Sequence, residues 1–168
     1  METWYLVTLV GEPEFWLILT GVMVVLYFLA RKRLSLKTKG FAKRGLIIFV
    51  AGLWLTSGVT FALKYSIPIE RPCVPCTESQ EGCNPYCRNE NSFPSGHSAV
   101  IFCVSTSIFL IFREWKFLAL YLIAIAVAFS RYALGVHYPA DVIAGSLIGI
   151  VIPVIFLRLS RKRLGLVS

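Results

Sequence analysis

Long apolar runs, separated by short polar links, dominate the pattern of hydrophobic and polar residues along the chain. A helix needs roughly 17–25 mostly apolar residues to cross a bilayer. Five runs reach or approach that length, at residues 13–30, 45–63, 95–112, 117–130 and 142–157. The last two are short, so we expect those helices either to extend into their flanking turns or to lie where snorkelling Arg and Lys side chains reach the interface. The pattern predicts an all-α fold, a polytopic transmembrane bundle of five to six helices.

The first eleven residues are apolar but too short to span a bilayer, and they carry Trp4 and Tyr5. Such aromatic residues are enriched at membrane interfaces. The segment lacks the basic start and the small-residue cleavage site of a signal peptide. We expect it to form either an interfacial helix or a partial sixth span.

The composition supports a membrane protein. Hydrophobic residues make up 57% of the 168-residue chain and charged residues only 15%, whereas soluble domains carry about 25% charged residues. The mean hydropathy is +0.71. The length suits a single membrane-embedded domain, residues 1–168, with one longer outer loop at residues 73–94.

Basic residues are distributed unequally between the two sides of the predicted bundle. Thirteen of the 17 Lys and Arg residues fall in a predicted loop at residues 31–44, a short link at 113–116 and the tail segment 158–163, all on one side. The positive-inside rule makes this side cytoplasmic. We therefore expect a multi-pass membrane protein with loop 73–94 facing the periplasm or the exterior. This topology explains the net charge of +8, so no nucleic-acid partner is expected.

Four of the five cysteines lie close together in the outer loop, at Cys73, Cys76, Cys83 and Cys87. Their spacing permits either a small structural zinc site or two disulfides in one of three connectivities. Disulfides are favoured because the predicted topology places the loop in an oxidising compartment. Cys103 lies within the third run and is expected to be an apolar packing residue.

Polar and charged residues at a membrane edge are costly, and they indicate a functional site. Here they cluster at three points in the sequence, all on the outer side of the predicted topology. These points are the end of the second run, the start of the third, and the junction of the fourth and fifth. The residues are Lys64 and Arg71, then Ser95, Gly96 and His97, and finally Arg131, His137 and Asp141.

Three of these residues are cations, and Glu70 is the one acid near them in the sequence. Unpaired cations at a membrane edge indicate an anionic ligand, and the forked guanidinium groups of Arg71 and Arg131 match phosphate oxygens. Ser95 and Gly96, at a predicted helix start, add backbone N–H donors and the positive end of a helix dipole. The sequence predicts a phosphate site.

The chain's only two histidines and its only aspartate all belong to this set. His137 and Asp141 are four residues apart and share one face of a helix that begins near Tyr138. A carboxylate beside an imidazole fixes the tautomer of the ring. His137 is therefore the candidate nucleophile, Asp141 its orienting partner, and His97 the candidate proton donor.

These motifs resemble those of the type 2 phosphatidic acid phosphatase superfamily, also called lipid phosphate phosphatases, whose site is shared with vanadium haloperoxidases. That family's pattern is K-x6-R-P, then P-S-G-H, then S-R-x5-H-x3-D. Every position of the pattern is matched here, from Lys64-x6-Arg71-Pro72 through 94–97 to 130–141. The resemblance covers about half of the chain, and the size suits a small prokaryotic member.

The resemblance implies a role for each residue. Lys64, Arg71 and Arg131 hold the phosphoryl oxygens with help from Ser95 and the Gly96 amide. His137 attacks phosphorus to form a phosphohistidine supported by Asp141, and His97 protonates the leaving group before water releases phosphate. No cofactor or metal is expected, since the cations neutralise the charge that a metal would otherwise neutralise.

The expected substrate is a membrane lipid phosphate or pyrophosphate, because a site at the membrane edge receives a headgroup whose chains stay in the bilayer. Our first candidate is lipid A 1-phosphate, followed by undecaprenyl pyrophosphate, phosphatidylglycerol phosphate or phosphatidic acid. Two alternatives remain: a phosphotransferase that passes the phosphoryl group to a lipid acceptor, and a non-catalytic membrane scaffold or lipid carrier. The five predicted spans argue against a haloperoxidase, which is usually soluble.

Overall fold

The computed structural model describes residues 2–76, 82–88 and 90–160. Its helices are α1 (Glu2–Leu9), α2 (Pro13–Ala30), α3 (Leu36–Ser66), α4 (Gly96–Phe112), α5 (Leu120–Ala133) and α6 (Pro139–Ser160). A short 3-10 helix, Trp115–Ala119, leads directly into α5. The predicted all-α membrane bundle is confirmed. The basic tail residues of segment 161–163, used above to assign the sides, lie outside the described residues.

Within the part of the chain that the structure describes, four segments are long and apolar enough to cross a membrane: Thr3–Ala30, Leu36–Ser66, Trp115–Ala133 and Pro139–Ser160. The last two correspond to the runs that looked too short, and both extend into their flanking turns as expected. Pro139 begins α6, where a missing backbone N–H costs little. The protein is therefore an integral, multi-pass membrane protein.

The N-terminal segment forms a helix that packs against the bundle. α1 lies against α5, and the rings of Trp4 and Phe129 are 5.3 Å apart. A turn joins α1 to α2, with the backbone N–H of Gly11 donating to the Thr8 carbonyl at 2.9 Å. This turn is called the α1–α2 corner below, and it comprises residues 8–13.

The predicted basic loop at residues 31–44 is wrong in its extent. α3 begins at Leu36, so most of that segment is helical and the loop is short. Ser35 caps the helix by accepting a hydrogen bond from the Thr38 backbone N–H at 3.2 Å. Lys and Arg are good helix formers, and their long side chains reach the interface from a helix that has left the apolar core.

The central helix of the bundle is α4, which packs against α2, α3, α5 and α6. Every residue from His97 to Ser107 is buried, so the 17 residues of α4 face neighbouring helices more than lipid. Two hydroxyls of α4 donate to backbone carbonyls one turn earlier in the same helix, Ser105 to Ile101 at 2.9 Å and Thr106 to Phe102 at 2.7 Å.

Two glycines bring α6 into backbone contact with α4. A Cβ at Gly145 would overlap the Ser95 carbonyl oxygen, and one at Gly149 would overlap the Ala99 carbonyl oxygen. Small residues four apart permit this close approach of helices in membranes. The Ser95 backbone N–H also donates to the Asp141 carbonyl at 3.0 Å. The starts of α4 and α6 are thereby held side by side.

The outer loop is closed by two nested disulfides, Cys73–Cys87 and Cys76–Cys83. The disulfide prediction is confirmed, and the structure selects one of the three connectivities over the zinc alternative. Asn84 ties the loop to the bundle by donating to the Leu134 carbonyl at 2.7 Å. Cys103 is fully buried in an apolar cluster, as expected.

Candidate active site

The polar residues singled out in the sequence converge at one end of the bundle, although they span 78 positions from the first to the last. The ends of α3 and α5 and the starts of α4 and α6 meet there. Four of the charged or titratable residues are almost completely buried: His97 is 8% exposed, Arg131 5%, His137 2% and Asp141 2%. Charged and titratable groups at such depth need polar partners.

Ser92 bridges the carboxylate and the imidazole of the predicted pair. The Ser92 hydroxyl donates to Asp141 Oδ2 at 2.5 Å and lies 3.3 Å from His137 Nδ1. His137 Nδ1 is 3.5 Å from the same Oδ2, which also accepts from the Tyr138 backbone N–H at 2.8 Å. A proton on Nδ1 therefore has both Ser92 and Asp141 as acceptors, which leaves Nε2 of His137 with its lone pair.

The surroundings of His137 favour the neutral ring. Burial has the largest effect and lowers the pKa of His137 to about 4, and the positive charges of Arg71, Arg131 and Lys64 add to it. The hydrogen bond with Asp141 opposes this shift. Near neutral pH the imidazole is thus unprotonated at one nitrogen, as a nucleophile must be.

Lys64 and Arg71 are held by the end of the outer loop. Lys64 Nζ donates to the Asn91 carbonyl at 2.9 Å, and Arg71 Nε donates to the Glu90 carbonyl at 3.0 Å. The Glu90 carboxylate lies 3.6 Å from Lys64 Nζ and 3.7 Å from Arg71 Nη2. These two cations therefore share an acid. The expectation that these cations are unpaired, with Glu70 as the one acid near them in the sequence, is wrong for Lys64 and Arg71, because the folded loop brings Glu90 to both.

Arg131 reaches the site from the end of α5. Its Nη1 donates to the Thr8 hydroxyl at 2.8 Å, while its Nε is buried without a hydrogen-bond partner among the described residues. An unpartnered guanidinium N–H in a buried site is costly unless a ligand accepts from it. The arrangement suits an anion with several oxygen acceptors.

The start of α4 lies beside these cations. Ser95 is the N-cap, and its hydroxyl accepts from the Ser98 hydroxyl at 3.0 Å and the Ser98 backbone N–H at 3.5 Å. Gly96, the first residue of α4, lines the adjoining cavity. Unsatisfied backbone N–H groups and the positive end of the helix dipole face outward at this position.

His97 is bound by an acid that the sequence did not indicate. Its Nε2 lies 2.8 Å from Glu12 Oε2, and the other oxygen of Glu12 accepts from Arg88 Nη2 at 2.9 Å. Glu12 belongs to the α1–α2 corner, and Arg88 follows the disulfide-bonded Cys87. The candidate proton donor thus sits in a chain of charged groups that begins on the outer loop.

Two cavities adjoin the site. The larger, about 780 Å³, is lined by Lys64, Arg71 and Gly96, and by apolar residues of α2 and α3 such as Leu17 and Phe61. The smaller, about 370 Å³, is lined by Glu12, Arg88, His97 and Arg131 together with Tyr5, Thr8, Pro85 and Tyr86. A cavity with a cationic end and apolar walls suits an amphipathic phosphate.

Ser92, Glu90, Thr8 and Glu12 are the partners that sequence reasoning missed. Ser92 and Glu90 stand close before the P-S-G-H motif, so their position was the one available signal. Thr8 and Glu12 are 123 and 85 residues from their partners, and nothing in the sequence pattern links them. Among the described residues, no three His, Cys, Asp or Glu side chains are grouped to hold a metal ion.

Comparison with known proteins gives close agreement on the family. The sequence model of the PAP2 superfamily matches residues 45–164. A putative undecaprenyl-diphosphatase of Escherichia coli is 33% identical over 112 residues, which are 66% of this chain and 54% of that protein. A lipid A 1-phosphatase of Rhizobium johnstonii is 31% identical over 143 residues, 80% of this chain and 57% of that protein. The chain spans about half the length of these relatives.

Two solved structures share the fold. The crystal structure of Aquifex aeolicus LpxE superposes with a TM-score of 0.66 at 24% identity, covering 93% of this chain and 84% of that one. A PAP2-type phosphatidylglycerolphosphate phosphatase from Bacillus subtilis gives 0.67 at 24% identity, covering 96% of this chain and 76% of that one. The family match extends over well over half of the sequence and contains every motif residue from Lys64 to Asp141; the chain belongs to the PAP2 superfamily.

Proposed function

We propose that the protein is a phosphatase that hydrolyses a lipid phosphate or pyrophosphate at the membrane surface through a phosphohistidine intermediate. One observation carries the proposal: a buried neutral imidazole, oriented by Ser92 and Asp141, stands among three cations at one end of the bundle. A nucleophile surrounded by fixed positive charge is what phosphoryl transfer requires.

The first step forms a bond between His137 Nε2 and phosphorus. The bond from phosphorus to the leaving oxygen breaks, its electron pair goes to that oxygen, and His97 supplies the proton. The second step reverses these roles: His97 takes a proton from water, the water oxygen bonds to phosphorus, and the N–P bond breaks. Lys64, Arg71 and Arg131 hold the equatorial oxygens throughout, with the Gly96 amide at the helix start.

We propose a lipid as the substrate because the larger cavity runs from the cations towards apolar residues of α2 and α3. Lipid A 1-phosphate remains the first candidate, followed by undecaprenyl pyrophosphate, phosphatidylglycerol phosphate and phosphatidic acid. The names of the relatives, a lipid A 1-phosphatase and a putative undecaprenyl-diphosphatase, support the first two for this chain. The presence of two disulfides beside the site supports an oxidising, extracytoplasmic location in a prokaryotic inner membrane.

The test is a phosphate-release assay with purified protein on these four lipids. Wild-type protein is expected to release phosphate from at least one lipid, while His137→Ala should lose turnover and still bind the substrate through its cations. A wild-type level of release by His137→Ala would contradict the nucleophile assignment. Recovery of the phosphate in a second lipid, instead of as free phosphate, would favour the phosphotransferase alternative over hydrolysis.

A further inference from the structure

The α1–α2 corner lies directly on the active site, outside the segment 45–164 that matches the family. It supplies Thr8 to Arg131 and Glu12 to His97, at 2.8 Å in each case. Both contacts are built on buried groups, since Thr8 is 2% exposed and His97 8%. We propose that Glu12 is a positioning residue that holds His97 ready to give up its proton; this inference rests on the proposed function.

Close packing positions the α1–α2 corner, in addition to the ion pair between Glu12 and His97. A Cβ added to Gly11 would lie 2.5 Å from Val127 Cγ1 on α5 and 3.4 Å from both the Cβ and the carbonyl oxygen of His97. Glycine therefore lets the backbone rest on the first turn of α4. Glu12 is the next residue, so the close packing of Gly11 against Val127 and His97 also places the Glu12 carboxylate beside the His97 imidazole.

The hydrogen bond between Glu12 and His97 determines which ring nitrogen of His97 is free to transfer a proton to the substrate. Glu12 accepts at Nε2, so Nε2 carries a proton and Nδ1 is the nitrogen that exchanges a proton with the substrate. In the first step Nδ1 gives its proton to the leaving oxygen; in the second it takes one from water. The Glu12 carboxylate stabilises the doubly protonated ring that the first step needs.

Other charges around His97 make this acid necessary. Burial of the ring disfavours a positive imidazolium most. Arg131 from α5 and Arg88 from the outer loop, which line the same cavity as His97, disfavour it further. Arg88 also binds the second oxygen of Glu12 at 2.9 Å, which restrains the rotation of the carboxylate. Glu12 is the one acid facing His97 among the described residues.

The test compares two aryl phosphates that differ in leaving-group acidity but hardly in size, phenyl phosphate and p-nitrophenyl phosphate. Protonation matters more for the more basic leaving group. Both substrates form the same phosphohistidine, so the leaving group affects kcat/KM, which reports the first step. Glu12→Gln is expected to lower kcat/KM about tenfold to a hundredfold on phenyl phosphate and much less on p-nitrophenyl phosphate. The alkaline limb of its kcat/KM profile should move to lower pH, and Glu12→Asp should recover part of the loss.

The ratio of the two rates is measured on one preparation, so it does not depend on the fraction of the variant that is folded. Glu114→Gln is the matched control, because Glu114 forms its ion pair with Lys116 beyond the far end of α4. An equal loss of rate on both substrates, with an unchanged pH profile, would overturn the positioning role. Failure of the proposed function itself would look different, since His137→Ala would then equal the wild type on either substrate.

Discussion

The hydroxyl of Ser92 donates a hydrogen bond to Asp141 Oδ2 at 2.5 Å while standing 3.3 Å from His137 Nδ1. The backbone of Ser92 is also held in place, since its N–H donates to the Ile69 carbonyl at 2.7 Å. The segment that links the outer loop to α4 therefore inserts a hydroxyl between an aspartate and a histidine that belong to α6 and the turn before it. The orientation of His137, the proposed nucleophile, therefore depends on three separate parts of the chain.

Ser92→Ala should lower kcat about tenfold to a hundredfold, because a hydrogen bond to a charged group contributes about 1.5–3 kcal/mol. The fall should appear in kcat more than in KM, since none of the phosphate-binding cations is changed. Ser107→Ala is the control: Ser107 is equally buried in α4 but lies away from the site. Similar kinetics for the two variants would place Ser92 outside the catalytic arrangement.

The titration of His137 gives a second prediction. Burial and the neighbouring cations lower the pKa of His137 to about 4, against about 6.5 for a free histidine. The unfolded chain then binds more protons than the folded one between those two values. The free energy of unfolding should therefore fall as the pH drops from 6.5 to 4, and the nucleophile should stay neutral until the lower end of that range.

The measurement is simple because the chain has two histidines. His97→Gln leaves His137 as the single histidine, and its titration can be followed by NMR of histidine-labelled protein in detergent micelles. A midpoint well below 6 is expected. A midpoint near 6.5 would mean that His137 is not shielded from solvent in the way the structure indicates.

Much of the fold was predictable because lipid imposes a simple rule on the sequence. Run lengths located the spans, and Pro139 marked the start of α6. The error in the fold occurred in a charged segment, where the length of apolar runs gives no information. The basic segment after residue 35 looked like a loop because it is charged, yet Ser35 caps it as the first turns of α3.

The residues of the candidate site could be predicted from the sequence, but most of the ion pairs and hydrogen bonds among them could not. Successive spans cross the membrane in opposite directions, so the ends of α3 and α5 lie on the same side as the starts of α4 and α6. Lys64, His97 and Asp141 were therefore expected on one face of the membrane. The acids that pair with the cations and with His97 depend on how the outer loop and the α1–α2 corner fold. Glu90 and Glu12 are brought in by those folds, and no local spacing encodes either contact.

Arg131→Lys should reduce kcat/KM about tenfold to a hundredfold, although it keeps the positive charge. Arg131 uses Nη1 for Thr8 and leaves a buried Nε for a ligand, a division that a single ammonium group cannot reproduce. Arg113→Lys, at the opposite end of α4, is the control with the same change of head group. Equal kinetics for Arg131→Lys and Arg113→Lys would contradict the assignment of Arg131 to the proposed phosphate site.

Vanadate should inhibit the enzyme, and EDTA should leave its activity unchanged. Vanadate adopts the five-coordinate geometry of the transition state, and in the proposed mechanism three protein cations neutralise the transferred group without a metal. The assay is phosphate release before and after chelation, with added Mg²⁺ as a third arm. Activity that disappears with EDTA and returns with Mg²⁺ would contradict the metal-independent mechanism.

Gly149→Ala should separate α4 from α6 and disturb the site at its end. The added Cβ would overlap the Ala99 carbonyl oxygen and stand 2.9 Å from both the Cys103 backbone nitrogen and Phe102 Cβ. Overpacking of this kind costs about 1–3 kcal/mol. Because Asp141 lies in the first turn of α6 and His137 in the turn just before it, a shift of the helix should also reduce kcat.

Gly21→Ala is the matched control, since a Cβ at Gly21 of α2 would meet no atom within 4 Å. In an exposed helical position alanine is favoured over glycine by about 1 kcal/mol, so this variant should be at least as stable as the wild type. Thermal unfolding in one detergent and the turnover of each variant provide the comparison. Equal melting temperatures and rates for the two variants would mean that the α4–α6 contact is not what holds the nucleophile beside the cations.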